Sequence, residues 1–193
     1  MQLRKIFSMS LKKDINFLKN YNKDITDLVS ESSKDFKNII KIKNLFMKAK
    51  KKNKIILCGN GGSAATSSHV AVDLSKNANI RAINFNEADL ITCLSNDYGY
   101  ENWISSAINL YANKGDILVL LSCSGSSPNI VKAAKMAKKN KIKLITFTGK
   151  NKNNPLANNN KGGINIWINS KAYNQIEIMH HMILLTIIDL CME

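Results

Sequence analysis

The chain has 193 residues, of which 45% are hydrophobic and 22% are charged, values that suit a folded domain with its own apolar core. Its formal net charge is +14, but nearly all of the positive charge is lysine spread along predicted helices, which favours solvated helix faces over a nucleic-acid-binding surface. We find neither an apolar run long enough to span a membrane nor a signal peptide, and we therefore expect a cytoplasmic protein with no nucleic-acid or membrane partner.

Apolar residues recur at helical spacing in residues 1–51 and predict a pair of N-terminal helices. The two helices are separated near residues 31–35, where serines can cap the second helix. We treat this pair as part of the same domain as the rest of the chain.

Beyond residue 51, short apolar runs alternate with helical segments. The runs are apolar throughout, as in parallel strands that helices cover on both faces. We predict strands at residues 54–58, 80–85, 116–121, 143–147 and 164–168. We predict helices at residues 63–77, 87–95, 100–112, 127–139 and 173–191, and a polar surface loop at 151–163. The pattern predicts a single α/β domain over residues 1–193, a three-layer sandwich around a five-stranded parallel sheet.

The first strand is followed by a glycine-rich turn, Gly59-Asn60-Gly61-Gly62-Ser63, and then by a helix. Glycines allow a close approach of the backbone, and the helix N-terminus offers free N–H groups to an anion. Neither the dinucleotide-binding pattern GxGxxG nor the nucleotide-binding pattern GxxxxGK[ST] occurs here. The turn therefore predicts a phosphate site of another kind.

The third strand is followed by a serine-rich turn over residues 122–129, SCSGSSPN, and again by a helix. Its hydroxyl groups can donate to phosphate oxygens beside the backbone N–H groups. The same residues also suit a serine N-cap followed by proline in the first helical turn, which is a purely structural role. Because such folds bind ligands at the carboxyl ends of their strands, two turns of this kind in one sheet favour a phosphate site.

Two predicted helices each carry a histidine and a carboxylate four residues apart, and such residues share one helix face. His69 and Asp73 follow the glycine-rich turn, and Glu177 and His181 lie on the last helix, next to His180. These side chains can ligate zinc with a position left open for substrate, or they can form simple ion pairs on their own helices. A histidine beside a carboxylate can also act as a general acid or base in proton transfer.

The motifs GNGGS-x5-H, NDYGYEN and S-x-SG-x-S-x-N on a five-strand α/β pattern resemble the SIS (sugar isomerase) fold. Within it, the chain is most similar to phosphoheptose isomerases, which convert sedoheptulose 7-phosphate into a heptose 7-phosphate. The resemblance implies an aldose–ketose isomerase that serves the synthesis of heptose for surface polysaccharide. It also implies a homo-oligomer, which in this family is a tetramer with sites between subunits.

The resemblance also implies roles for individual residues. The phosphate would be held by serines of the two turns, Ser63, Ser122, Ser124 and Ser127. Asn60 and Asp97 would contact the hydroxyl groups of the sugar, and Gly61 and Gly62 would also belong to the substrate-binding residues. Zinc, one ion per subunit, would be bound by the two histidine–carboxylate pairs, His69, Asp73, Glu177 and His181.

Three positions of this cluster depart from the family pattern. Asp73 stands where the family has a glutamate, which is one methylene longer. On the last helix, Glu177 takes the position of a glutamine and Leu185 takes that of the catalytic histidine. His180 or His181 must then supply the imidazole. We predict that Asp73 acts as the base and that one of these two histidines acts as the acid.

Two other functions stay open at this point. A non-catalytic SIS module would bind a phosphosugar or a protein partner, which the loss of the distal histidine favours. A different sugar-phosphate enzyme, such as a hexulose-phosphate isomerase or a lyase, would use the same phosphate turns. Retention of the histidine–carboxylate pairs favours the isomerase, since a binding module has no use for them.

Overall fold

We describe the protein from a computed structural model, which covers the backbone of residues 2–193 and the side chains of residues 11–193. Met1, which belongs to the predicted domain, lies outside the described residues. The chain divides into two compact units, one ending at Lys34 and the other comprising Asp35–Glu193, and each is described by itself. The prediction that the whole chain forms a single domain stays a prediction.

The N-terminal unit consists of helix α1, Gln2–Glu31, which is followed by a short 3-10 helix, Ser32–Asp35. The predicted break between the first two helices is therefore confirmed. Two serine hydroxyls at this break donate to backbone oxygens of the preceding turn, Ser32 Oγ to Val29 O at 2.7 Å and Ser33 Oγ to Ser30 O at 2.8 Å. They close the end of α1 instead of capping the next helix.

The second unit contains a five-stranded, entirely parallel sheet with the strand order β2-β1-β3-β4-β5. Its strands are β1 (Ile55–Cys58), β2 (Ala82–Asn84), β3 (Ile117–Ser122), β4 (Lys143–Thr148) and β5 (Ile164–Trp167). Each lies within a segment that the apolar runs predict or extends it by one residue. The predicted α/β fold class is confirmed.

Seven helices of the second unit connect and cover these strands. They are α2 (Phe36–Ala49), α3 (Gly62–Lys76), α4 (Ala88–Tyr98), α5 (Trp103–Tyr111), α6 (Pro128–Lys139), α7 (Pro155–Asn159) and α8 (Tyr173–Met192). Six of them match predicted helices. The exception is α7, which lies in the segment predicted to be a polar loop. Asn154 caps it by accepting a hydrogen bond from Ala157 N at 2.9 Å, and five residues are too few to show a helical period.

Side chains of the central strands alternate between the two faces of the sheet. On one face, residues of β1 and β3 such as Ile56 and Leu118 form a buried cluster with α4, α5, α6 and α7. On the other face, α2, α3 and α8 pack against the sheet and against one another. Because helices cover both faces, β1 and β3 are buried along their whole length, as their uniformly apolar sequences predict.

Helix α8 is long and apolar enough to cross a membrane when judged by length and composition alone, since an 18-residue window has a mean hydropathy of 1.4. Half of that window is buried inside the fold. The central helix of a folded protein passes the same test, and α8 has the burial of such a helix.

Strand order determines where a ligand can bind. The chain runs from β1 to β2 on one side and from β3 to β4 on the other, so the order of the strands reverses between β1 and β3. Cys58, the last residue of β1, pairs with Leu120 of β3, and the two following turns therefore lie side by side at the carboxyl edge of the sheet. Crevices at such a reversal are the usual ligand sites of open α/β sheets.

Asp116 closes the opposite edge of the sheet, just before β3. Its carboxylate is 1% exposed and accepts hydrogen bonds from Lys54 N at 3.0 Å, Asn113 N at 2.8 Å and Lys54 Nζ at 2.6 Å. Burial raises the pKa of this carboxyl, but the hydrogen bonds from Lys54 and Asn113 and the Lys54 charge outweigh it, and the pKa lies below its usual value. The carboxylate thereby ties β1 to β3.

Asp116→Asn should lower the free energy of unfolding by about 2 kcal/mol at neutral pH, because the amide loses the ion pair and turns a donor toward Lys54. A depressed folded-state pKa means that this contribution is complete above the ordinary aspartate pKa and is lost as the pH falls through the folded pKa. Urea unfolding at neutral pH and near pH 3 would measure it, and the difference between the two proteins should shrink at the lower pH. Asp89→Asn, at an exposed carboxylate on α4, is the control, and an equal difference at both pH values would contradict the assignment.

Candidate active site

Close contacts within the turn between β1 and α3 require glycine there. A Cβ atom at Gly59 would lie 2.6 Å from the backbone carbon and oxygen of Ser63, so a larger residue does not fit there. Gly61 has φ +53°, in the left-handed region, and α3 begins at Gly62. Ser63 is buried in the first turn of α3, where Ala64 N and Ala65 N donate to Gly61 O at 2.9 and 3.1 Å.

The serine-rich turn between β3 and α6 is held by its own hydroxyl groups. Ser122 Oγ accepts a hydrogen bond from Gly125 N at 3.2 Å and lies 3.5 Å from Ser127 Oγ. Ser124 Oγ accepts from Ser126 N at 3.2 Å. Ser127 stands directly before α6, yet its side chain makes no capping hydrogen bond. The purely structural N-cap role that the sequence leaves open is therefore not the role of this side chain.

The two turns line one cavity of about 120 Å³, together with Tyr173 and Glu177 from α8. Every serine predicted to hold the phosphate lines this cavity, and so does Asn60; the serines are Ser63, Ser122, Ser124 and Ser127. Gly61 and Gly62 form the turn beside it. The structure thus brings these predicted residues together, while phosphate binding by them stays a prediction.

Asp97 is the predicted sugar-binding residue that the structure places elsewhere. It is exposed near the end of α4, where its Oδ1 accepts a hydrogen bond from Asn96 Nδ2 at 3.0 Å. Its Oδ2 lies 3.9 Å from Cys93 Sγ, one helical turn away. Asp97 is not among the described residues that line the cavity, so nothing in its surroundings supports a contact with the sugar.

Two tyrosines lie at the site, although the sequence favours a packing role for Tyr100 and gives no signal for Tyr173. Tyr100 OH donates to Asn60 Oδ1 at 3.3 Å, across 40 residues of chain. Tyr173 lines the cavity, and Lys150 Nζ lies 3.5 Å from the centroid of its ring. Tyr100 falls within the NDYGYEN motif, which is a signal for its turn, but only the fold brings its hydroxyl to Asn60.

The cavity has a charged residue in its lining and a second charge nearby. Glu177 is the charged residue among the described residues that line it, and Lys150 brings a positive charge close through its contact with Tyr173. Burial, followed by the negative charge of Glu177, raises the pKa of Cys123 to about 11, although Lys150 opposes this shift. The Cys123 thiol is therefore neutral and does not repel an anion in this cavity.

Glu177 reaches from α8 to the first turn of α3. A Cβ atom at Gly62 would overlap its carboxylate, so the glycine provides the space that this side chain occupies. Glu177 Oε1 also lies 3.9 Å from Cys123 Sγ of the serine-rich turn. Glu177 therefore stands at the two turns, one helical turn of α8 away from His181.

The two predicted histidine–carboxylate pairs contact each other through their histidines, whereas Glu177 lies apart from this contact. His69 Nδ1 lies 2.8 Å from His181 Nε2, with the rings edge to face, and His69 Nε2 lies 3.2 Å from Asp73 Oδ2. His69 thus links Asp73 to His181 in one chain of contacts. Burial lowers the pKa of His181, the neighbouring His69 lowers it further, and Asp73 opposes the shift.

These side chains, as placed, do not form a zinc site. Two imidazole nitrogens that bind one zinc ion at about 2.0–2.1 Å in a tetrahedron stand roughly 3.3 Å apart. His69 and His181 approach to 2.8 Å and so contact each other directly, while Glu177 lies at the serine-rich turn. Among the residues that the structure describes, no group of three or more His, Cys, Asp or Glu side chains is placed to hold a metal ion. The zinc assignment stays a prediction.

His180 lies in the core and is 1% exposed. Its Nε2 lies 3.1 Å from the carbonyl oxygen of Thr148, at the end of β4, and its ring packs edge to face on Phe147. Burial lowers the pKa of His180 to about 4, so the ring is neutral near pH 7. This placement favours a structural role for His180 and leaves His181 as the histidine of α8 that contacts the other site residues.

The chain is similar in sequence to one family of known proteins. The SIS domain family matches residues 20–149. The chain is 35% identical over 167 residues to the phosphoheptose isomerase of Buchnera aphidicola subsp. Acyrthosiphon pisum (strain Tuc7), a match that covers 80% of this chain and 85% of that protein. It is 35% identical over 136 residues to the phosphoheptose isomerase of Aliarcobacter butzleri (strain RM4018), covering 66% of this chain and 69% of that protein.

Solved structures show the same fold. The phosphoheptose isomerase of Neisseria gonorrhoeae superimposes with a TM-score of 0.84 at 23% identity, covering 92% of this chain and 98% of that chain. A phosphoheptose isomerase from Francisella tularensis gives a TM-score of 0.85 at 23% identity, covering 92% and 97%.

Gly62→Ala should separate the role of the Glu177 carboxylate from that of the fold. Alanine suits a first helical turn, and the added methyl group displaces only the flexible end of Glu177, so the free energy of unfolding should stay within about 1 kcal/mol of the parent value. Displacement of the carboxylate should lower kcat/KM with a sugar phosphate by roughly 10- to 100-fold. Steady-state kinetics and urea unfolding would measure both quantities.

A double variant supplies the control for this experiment. Once Glu177→Ala has removed the carboxylate, adding Gly62→Ala should cause no further loss of activity. A Glu177→Ala protein as active as the parent would show that this carboxylate has no role in the site.

Proposed function

The chain belongs to the SIS-domain family and, within it, to the phosphoheptose isomerases, and on this premise we propose that it interconverts sedoheptulose 7-phosphate and a heptose 7-phosphate. The product would supply heptose for surface polysaccharide. We place this reaction in the cytoplasm, where sugar phosphates are formed.

The spacing along α3 is compatible with a seven-carbon substrate. His69 follows Ser63 by six positions, a rise of about 9 Å along the helix axis at 1.5 Å per residue. In an extended seven-carbon chain, carbon 1 lies about 10 Å from the phosphorus on carbon 7. Along the helix axis alone, carbons 1 and 2 of a sugar whose phosphate is held by the serines would therefore reach the level of His69. Asp73 lies one helical turn farther along α3.

The reaction requires a balanced transfer of protons between two carbons and their oxygens. A base removes a proton from carbon 1 of the ketose, and the electron pair of that C–H bond forms the double bond of an enediol as the oxygen on carbon 2 gains a proton. A proton then returns to carbon 2, and the hydroxyl on carbon 1 loses its proton and becomes the aldehyde. The site must therefore hold a base that carries the proton from carbon 1 to carbon 2, together with a second group, a side chain or a bound water, that gives a proton to the oxygen on carbon 2 and takes one from the oxygen on carbon 1.

The contacts of His69 indicate which side chain moves the proton between the two carbons. If His69 donates its Nε2–H to Asp73 Oδ2, then its Nδ1 must accept from the Nε2–H of His181. His181 is thereby left with a free lone pair on Nδ1, which can accept and return a proton. We assign the proton transfer to His181 and give Asp73, which the sequence predicts as the base, the task of orienting the two rings through His69.

His181→Gln should lower kcat for sedoheptulose 7-phosphate by at least about 100-fold with little change in KM, since the phosphate turns are untouched. Asp73→Asn should lower kcat by roughly tenfold or more, because an amide no longer selects the His69 tautomer. His180→Gln is the matched control on the same helix, and its kcat should stay within a few-fold of the parent value. Circular dichroism would establish that each variant is folded.

The same assay distinguishes the remaining functions. Binding of sedoheptulose 7-phosphate without turnover would favour the non-catalytic SIS module, and turnover of a hexulose phosphate instead would favour the other enzyme class. Repeating the assay after dialysis against a chelator tests the metal: turnover that is lost and then restored by zinc would overturn the assignment of proton transfer to these side chains alone. Equal activity of His181→Gln and the parent would remove His181 from the mechanism.

We also propose that the chain forms a homotetramer. Large apolar side chains are exposed on several helices of the second unit, among them Ile178 and Met192 on α8 and Leu110 and Tyr111 on α5. Exposed groups of this kind are stabilised when a second copy covers them.

Light scattering of the purified protein should give the mass of four chains of 21.5 kDa each. Ile178→Glu should lower this mass, because a charge at an apolar contact opposes association, whereas Lys171→Glu at an exposed polar position before α8 should not. A parent protein that stays monomeric at micromolar concentration would contradict the proposal.

A further inference from the structure

Two asparagine side chains from different turns form a reciprocal amide pair beside the cavity. Asn60 Nδ2 donates to Asn129 Oδ1 at 3.0 Å, and Asn129 Nδ2 donates to Asn60 Oδ1 at 2.8 Å. Asn60 lines the cavity, whereas Asn129 is 1% exposed and does not line it. Through this pair, Asn129 can influence a ligand without touching it.

A backbone donor determines the orientation of Asn129. Ile130 N, in the first turn of α6, donates to Asn129 Oδ1 at 3.0 Å. A backbone N–H cannot become an acceptor, so the oxygen of the Asn129 amide must face it. This contact fixes the orientation of the Asn129 amide. Because the two amides are paired, it also fixes the Asn60 amide, with Nδ2 facing Asn129 Oδ1 and Oδ1 facing Asn129 Nδ2.

The hydrogen bonds of the Asn60 side chain leave one of its N–H groups without a bond to a described residue. Its Oδ1 accepts from Asn129 Nδ2 at 2.8 Å and from Tyr100 OH at 3.3 Å, which occupies both lone pairs. Its Nδ2 has two hydrogens and gives one of them to Asn129. What remains is a single N–H donor.

We propose that Asn129 is a positioning residue: it holds the Asn60 amide so that the cavity meets an N–H donor and not a carbonyl acceptor. The ligand atom that Asn60 recognises is then an acceptor, such as a carbonyl, hydroxyl or phosphate oxygen of a sugar phosphate. Carbonyl and phosphate oxygens of a sugar phosphate are acceptors only, and a freely rotating amide would turn its own carbonyl oxygen toward them half of the time, which is repulsive. The proposal rests on the proposed function for the statement that Asn60 contacts the substrate.

Kinetics of a double-mutant cycle test the path through Asn60. Asn129→Ala should raise the KM for sedoheptulose 7-phosphate roughly 3- to 10-fold with little change in kcat. Asn60→Ala should raise it at least as much, and the double variant should be no worse than Asn60→Ala alone. Additive effects of the two substitutions would overturn the proposal, because they would show that Asn129 acts independently of Asn60.

Asn129→Asp removes the donor of the reciprocal pair and keeps the acceptor. The carboxylate can still accept from Ile130 N and Asn60 Nδ2, but it cannot donate to Asn60 Oδ1 and repels that oxygen. We expect a raised KM and, because the carboxylate is buried, a lower unfolding midpoint at neutral pH. A parent-like KM in this variant would overturn the reciprocal pairing as the cause.

Side-chain amide NMR provides a readout that does not depend on activity. In protein labelled with ¹⁵N-asparagine, the Asn60 amide signal is identified by its absence from Asn60→Ala. In the parent, one of its two protons should exchange slowly with solvent because it is bonded to Asn129, and in Asn129→Ala both should exchange rapidly. An unchanged Asn60 signal in Asn129→Ala would overturn the proposal even in an active enzyme. If the parent fails to turn over the sugar phosphate, the proposed function fails, and the NMR result still decides whether Asn129 holds Asn60.

Discussion

The parallel pairing of β1 with β3 is the constraint on which the site depends. Cys58 lies beside Leu120, so both strands end at the same edge of the sheet, and neighbouring strands are only about 4.8 Å apart. The glycine-rich turn after β1 and the serine-rich turn after β3 are therefore forced into contact. The amide pair between Asn60 and Asn129 joins these turns directly and shows how close they lie. Neither turn forms the cavity alone.

Helix α8 adds the second half of the site because it packs against α3. It presents polar groups at two levels, with Glu177 at the phosphate turns and His181, one turn later, at His69. This arrangement explains how the chain can differ from the family pattern at Leu185. An imidazole contributed one turn earlier on the same helix face still reaches the partner helix, so the leucine does not by itself remove proton chemistry from the site.

Most of the fold and part of the site could be predicted from local patterns. Strands buried on both faces are uniformly apolar, and the turns that follow β1 and β3 differ from ordinary loops by their glycines and serines. The short helix α7 could not be predicted, because a five-residue helix that begins after the Asn154 cap has no detectable period. Asp97 shows the reverse case: its motif resembles the family, yet its side chain contacts its own helix and not the cavity.

By itself, the sequence determined which residues are close along one helix or turn, such as His69 with Asp73, since such contacts depend only on helical spacing. Only the tertiary structure distinguishes the surroundings of His180 from those of His181. Neighbouring residues on a helix point about 100° apart, and the packing of α8 against β4 turns His180 to Thr148 and His181 to His69. It likewise brought Asn129 to Asn60 across 69 residues of chain, a contact with no local pattern because it arises only when two strands pair.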